Sequence, residues 1–285
     1  MYQSFTFDYF PPQFYMQSSG DRSVVLEQRR NEERAQGTPS EVVAAQISFA
    51  SLVAKTSSRM QSGSSPSAIV PPIYALRKSN NGKIALEAFE WVLQIDDEPI
   101  AELRMVYIQG TKNQIINTWI FPNRPARMPV FAAELIAVGA ETRVAFVDIQ
   151  IPALEETTAD DVSLITGSIS PRFAGLPCNE QPPVWAIHAS QGNFTYARNV
   201  PSTQSHKIEE CYLSYLDAYL THFCTSDVSR SIAQSKRDEA ALNELQRYQW
   251  HHMEHSPGNK FLGKLFGSDW TEAFMNDFLF SKPRG

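Results

Sequence analysis

The sequence predicts an α+β fold, a three-layer α/β/α sandwich with a central antiparallel sheet flanked by helices. Three observations carry this. Between residues 68 and 152, runs rich in Val, Ile, Phe and Trp follow one another with only a few turn residues between them. Such short connections suit hairpins and not parallel crossovers. Apolar residues recur at helical spacing after residue 205 instead. Several strand runs are apolar on both faces: in FAAELIAV, ending at Val138, nearly every position is small or aliphatic. Both faces of the sheet therefore need cover.

Taken in order, residues 1–20 read as an aromatic-rich extended arm and 21–36 as a charged, solvated helix. Thr38-Pro39-Ser40-Glu41 is a helix start, with Thr as N-cap, Pro at the first helical position and Glu three residues on. That helix is expected to run to about Ser58, before a Ser/Gly-rich linker over 61–67. The expected division is 1–66, an arm and helices packed on the core, and 67–285, the main domain. Strands are expected near 68–77, 82–94, 98–109, 113–122, 128–138 and 142–151. Asn80-Asn81-Gly82 and Asp96-Asp97-Glu98 supply turn chemistry between neighbours. Residues 153–183 read as a polar loop closing on Pro182-Pro183, and Trp185 to Val200 as a further strand pair. In KIEECYLSYLDAYLTHF, residues Ile208, Cys211, Tyr212, Tyr215, Leu216, Tyr219, Leu220 and Phe223 share one helical face. A second helix is expected over roughly 229–253, and a last one from Asp269, with Glu272 completing its cap.

Composition excludes several classes. Of 285 residues, 42% are hydrophobic, enough for a sizeable core. Mean hydropathy is -0.30, and no run approaches the ~18 apolar residues of a membrane span. A net charge of -6 argues against a general nucleic-acid binder. Three cysteines with no CxxC pair fit a reducing compartment. The N-terminus has neither the basic and apolar regions of a secretory signal nor the arginines of a transit peptide.

Glu134 shares a strand face with Val130, Ala132, Ile136 and Val138. It is either a Glu on a solvated sheet edge or a carboxyl in an apolar setting. Desolvation would raise the pKa of the latter toward neutrality, as suits a proton donor. Asn117 lies on the preceding strand face with Asn113, Ile115, Trp119 and Phe121. Its amide can serve a neighbouring strand or offer hydrogen-bond donors and an acceptor to a ligand. HHMEH, ending at His255, is not HExxH and has no evident third ligand, so no metal is expected. No GxGxxG or Walker loop is present.

Two blocks carry a family resemblance. One runs from Glu254 to Pro257, through Leu265-Phe266-Gly267, to Phe278-Leu279-Phe280; the other is residues 113–152. Together they resemble the ferredoxin-dependent bilin reductases, a superfamily that includes the red chlorophyll catabolite reductases. The resemblance implies an oxidoreductase acting on CH–CH bonds of a linear tetrapyrrole, biliverdin or dihydrobiliverdin, to give a phytobilin. Reduced ferredoxin is the implied external donor, with no flavin, haem or metal bound, since the pigment itself accepts single electrons and radicals alternate with protonations. A monomer in a plastid stroma or bacterial cytoplasm is the corresponding expectation.

The resemblance makes Glu134 a proton donor, where bilin reductases usually have Asp and red chlorophyll catabolite reductases have Glu. It places Asn117 at a pigment-contacting position, with Trp119 beside it. Ser256 stands where the family has a second acid before Pro, which makes neighbouring His255 a candidate substitute donor. Arg198 is a candidate partner for a propionate or one half of a surface ion pair. Asp148 matches a frequent family Asp and reads as structural, with strand register deciding whether it joins Glu134's face. Lys112, Arg124, Arg127, Lys260, Lys264, Lys282 and Arg284 form either a landing patch for acidic ferredoxin or scattered solubilising charge. The competing classes are a red chlorophyll catabolite reductase-like enzyme and a non-catalytic bilin carrier.

Overall fold

Seven strands pair in the order in which they occur along the chain, each antiparallel to the next, in one meandering sheet. The computed structural model describes residues 47–62, 68, 70–152, 156–224 and 236–283. The strands are β1 (Leu76–Lys78), β2 (Ala85–Ile95), β3 (Glu98–Gln109), β4 (Asn113–Pro122), β5 (Val130–Val138), β6 (Glu141–Gln150) and β7 (Thr195–Pro201). The helices are α1 (Ala50–Ser62), a single turn α2 (Pro72–Ala75), α3 (Glu156–Ile169), α4 (Ser205–Phe223), α5 (Lys236–His255), α6 (Gly258–Phe266) and α7 (Ser268–Phe274). The α+β architecture with helices on both sides of the sheet is as the sequence predicts.

Strands β2 to β6 lie within a few residues of the expected runs. Asp96 and Asp97 both hold positive φ, 51° and 65°. Two left-handed central residues match the twist of a tight hairpin, and Asp tolerates that conformation. The first strand is shorter than expected: residues 72–75 form α2, and β1 keeps only three residues. Pro71 and Pro72 have no N–H to give a ladder, and Pro at the first helical positions favours a turn. The region 185–200 contributes one strand, β7, and not a pair. The expected loop over 153–183 contains α3. Its Thr157, Thr158, Asp160 and Asp161 make it look polar, yet Val162, Thr166 and Ile169 recur at helical spacing and are buried. The final helix begins at Ser268, one residue early. Its N-cap is Gly267, at φ 94°, so no side chain caps it and Glu272 completes no box. The Thr38 helix start lies outside the described residues.

One face of the sheet packs on α1, α3 and α4. Tyr212, Tyr215 and Tyr219 of α4 are fully buried. Their hydroxyls donate to Thr118 Oγ1 (3.1 Å), Asn193 O (2.8 Å) and Pro129 O (2.9 Å). A buried tyrosine keeps its apolar area only if its O–H finds such a partner. The segment before α1 is stitched to the sheet: Ile47 N donates to Gly139 O (3.2 Å) and Phe49 N to Gln114 Oε1 (2.8 Å), while Gln114 Nε2 donates to Ile47 O (3.1 Å). The opposite face packs on α2, α5, α6, α7 and the Phe278-Leu279-Phe280 run.

Candidate active site

Strand register builds the site on that second face. Asn117 of β4 pairs with Glu134 of β5, Glu134 with Phe146 of β6, and Phe146 with Tyr196 of β7. These four side chains form one row. The next row is Trp119, Ala132 and Asp148; the row on the other side is Ile115, Ile136, Val144 and Arg198. Burial falls across the three rows. Trp119, Ala132 and Asp148 are buried, whereas Ile115, Ile136, Val144 and Arg198 are half-buried. On the reverse face the alternate residues Ile116, Leu135, Ala145 and Ala197 are all fully buried. One face is therefore closed along β4 to β7, while the other opens into an apolar platform with Asn117 and Glu134 at its inner margin.

A β-bulge decides the second carboxyl. The β5–β6 register shifts between Ile136 and Ala137, so that Ala137 pairs with Thr142 but Ile136 with Val144. Arg143 is the extra residue. Without it Glu134 would face Ala145, and Asp148 would point to the other side of the sheet. With it, Asp148 lies diagonally from Glu134 on the same face.

The two carboxyls share an electrostatic setting. Solvent still touches Glu134, but protein surrounds it, and burial alone raises its pKa to about 7. Asp148 is also raised to about 7, chiefly by burial, against lowering contributions from Ser190, Gln150 and the Ile149 N–H. Its Oδ1 accepts from Ile149 N at 2.8 Å. Its buried Oδ2 has no hydrogen bond of good geometry, despite the nearness of Ser190 and Gln150.

Trp119 fixes Asn117. The indole Nε1–H donates to Asn117 Oδ1. An indole is a donor only, so the amide oxygen must face it and the NH2 points the other way. Asn117 thus presents donors at the site's margin. Trp119 is held in turn by Phe121 (5.7 Å, stacked), His252 (5.0 Å), Phe280 (5.4 Å) and Tyr248 (6.1 Å). It is 7% exposed, so it positions Asn117 more than it offers a surface.

His255 is exposed on the last turn of α5, where Nδ1 lies 2.9 Å from His251 O and the ring stacks on His251 at 4.4 Å. The Ser256 hydroxyl accepts from Gly258 N at 3.1 Å, at the entrance to α6. Arg198 donates to Tyr196 Oη (3.1 Å) and pairs with Glu180 (3.0 Å), at the edge of the platform. Lys112 and Arg124 flank opposite ends of ten-residue β4, about 30 Å apart, so they do not join one patch. Arg284 lies outside the described residues.

Sequence reasoning missed His252. It is 2% exposed, with both ring nitrogens unpartnered. Burial, with smaller contributions from His251, His188 and His255, lowers its pKa to about 3, so the ring is neutral. Its signal was the buried helical spacing Leu245, Tyr248, His252 on α5. Tyr248 Oη donates to Gln150 Oε1, and Gln150 Nε2 to Ala186 O (2.7 Å), which ties α5 and the 186–189 turn down over Asp148's side of the face.

The ferredoxin-dependent bilin reductase family model matches residues 52–281. The chain belongs to that family. A 15,16-dihydrobiliverdin:ferredoxin oxidoreductase of Prochlorococcus marinus is 23% identical over 177 residues, covering 60% of this chain and 72% of the relative. A phycocyanobilin:ferredoxin oxidoreductase of Synechococcus elongatus is 23% identical over 188 residues, covering 64% and 73%. The fold is similar to that of tomato phytochromobilin synthase, crystallised in complex with biliverdin: TM-score 0.69, 17% identity, 82% of this chain and 83% of that one.

Proposed function

We propose that this bilin reductase family member reduces an open-chain tetrapyrrole, biliverdin or dihydrobiliverdin, at a carbon–carbon double bond to give a phytobilin. Reduced ferredoxin supplies two electrons singly, and the protein supplies protons between them. The observation that carries this reading is Glu134, a carboxyl held at about 7 with no cation beside it, at the margin of an open apolar platform. Such an acid is still protonated near neutrality and gives up its proton readily. The platform binds the pigment's apolar surface, the Asn117 amide donates to a lactam oxygen, and Arg198 binds a propionate. Three free thiols and relatives from cyanobacteria support a bacterial cytoplasm or a plastid stroma as its compartment.

A carrier without turnover is the second reading, favoured by Ser256, whose hydroxyl serves the α6 entrance and is no acid. One assay separates the readings. The pure protein is mixed with biliverdin, dihydrobiliverdin or red chlorophyll catabolite, and spectra are taken before and after a ferredoxin reducing system is added. Reduction of a bilin is expected. Binding with no later change would mean a carrier, and change with red chlorophyll catabolite alone would mean the sister class.

A further inference from the structure

A two-electron reduction of a double bond consumes two protons, and Glu134 carries one. Ser256 supplies none. Among the described residues, three carboxylates are buried away from solvent on the site-bearing face: Glu90, Glu102 and Asp148. Glu90 and Glu102 both bind Arg104. Asp148 has no cation, is 1% exposed, and keeps one oxygen without a hydrogen bond. It lies one row deeper than Glu134 and diagonal to it, where cross-strand neighbours are roughly 7–8 Å apart.

We propose that Asp148 is the site's second proton store, acting through Glu134 and not on the pigment itself. This rests on the reduction proposed above. The first electron from ferredoxin makes a pigment radical anion, and Glu134 protonates it. The proton on Asp148 then crosses to the Glu134 carboxylate. The second electron arrives, Glu134 protonates again, and both carboxyls refill from solvent after the product leaves. Two electrons and two protons enter, and two hydrogens are gained.

The surroundings favour this hand-over. Burial holds both acids at about 7, so the transfer is close to isoenergetic. The other titratable groups around Asp148 are Tyr248 on α5 and Tyr215 on α4, both kept protonated by burial. His252 on α5, packed against Tyr248, is neutral. Among the described residues, no positive charge pulls Asp148 toward ionisation. Depth also orders the pair: Glu134 meets solvent and pigment, while Asp148 lies behind it under the α5 side.

The test has two arms. In the resting protein, with carbon-13-labelled aspartate, infrared titration from about pH 4 to about pH 9 should show one aspartic acid losing its proton near neutrality. That band should vanish in Asp148→Asn. In single-turnover reduction, Asp148→Asn should bind pigment and form the first radical at the wild-type rate. The radical should then decay about tenfold or more slowly, with partial recovery at lower pH and rescue by Asp148→Glu. An Asp148 ionised throughout the titration, or an unchanged radical decay in Asp148→Asn, overturns the proposal. Wild-type protein that binds pigment but never reduces it would instead sink the reduction, while the labelled titration still reads Asp148 directly.

Discussion

On one face of one sheet the protein buries carboxylates in two places and treats them in opposite ways. At β2 and β3, Glu90 and Glu102 surround Arg104, and all three are essentially inaccessible. Arg104 Nε donates to Glu90 (3.3 Å) and Nη2 to Glu102. Nη1 donates to Ser281 O (2.7 Å) and Leu279 O (3.4 Å), and the guanidinium lies 5.6 Å over the Phe121 ring. Every charge there has a partner, and the result is a clamp on the C-terminal run. At β5 and β6, Glu134 and Asp148 have no cation among the described residues, and burial moves both to about 7. The same carboxyl chemistry in the same sheet is architecture where an arginine accompanies it and, in the reduction proposed above, a proton source where none does. Burial alone does not mark a functional carboxyl; burial without a counter-charge does.

The comparison can be broken from either side. Arg104→Ala strands two buried carboxylates and should cost about 3–5 kcal/mol, read as a lowered denaturant midpoint. Glu134→Gln leaves no charge behind, so it should fold as well as the wild type and bind pigment within a few-fold. Its ferredoxin-driven reduction should fall by about a hundredfold or more. Wild-type turnover by Glu134→Gln would erase the distinction.

Stability against pH sharpens the contrast. From about pH 4 to about pH 7 the unfolded chain releases the protons of these two acids while the folded chain keeps them. Stability should therefore fall as pH rises through that window, by roughly 3–4 kcal/mol per group at most, and level off above it. His252 works the other way: below about 6.5 the unfolded ring takes a proton that the folded one refuses until about pH 3. The double variant Glu134→Gln/Asp148→Asn should lose the decline toward neutrality and keep the acid lability, as read from denaturant midpoints across that range. The smallest effect is expected at Ser256→Ala, which removes the hydroxyl at the α6 entrance. It should cost about 1 kcal/mol and leave the reduction rate unchanged.

Much of this was legible in the sequence. Period-two alternation places Glu134 among aliphatics and Asn117 with Trp119, and the observed register sets Asn117 and Glu134 directly opposite each other. The tyrosine stripe of α4 was equally plain, because 3.6-residue spacing survives whatever packs against it. Asp148 was not readable, since its face depends on Arg143, a single extra residue in a hairpin. The Arg104 cluster joins strands to residues about 175 positions later, and no local pattern announces such a meeting. His252 was hidden by its own chemistry: a histidine in an apolar helical stripe reads as surface until the stripe is seen to pack on Trp119.

The meander has a consequence for how the molecule is made. Because each strand joins the one just before it, the sheet can assemble piece by piece as the chain leaves the ribosome. Most of the cover over the acid-bearing side comes from residues after 236, so that side stays largely naked until well after the strands have been made. Premature termination would then release a strand scaffold with a greasy flank exposed, a natural client for chaperones and proteases and incapable of sheltering a pigment.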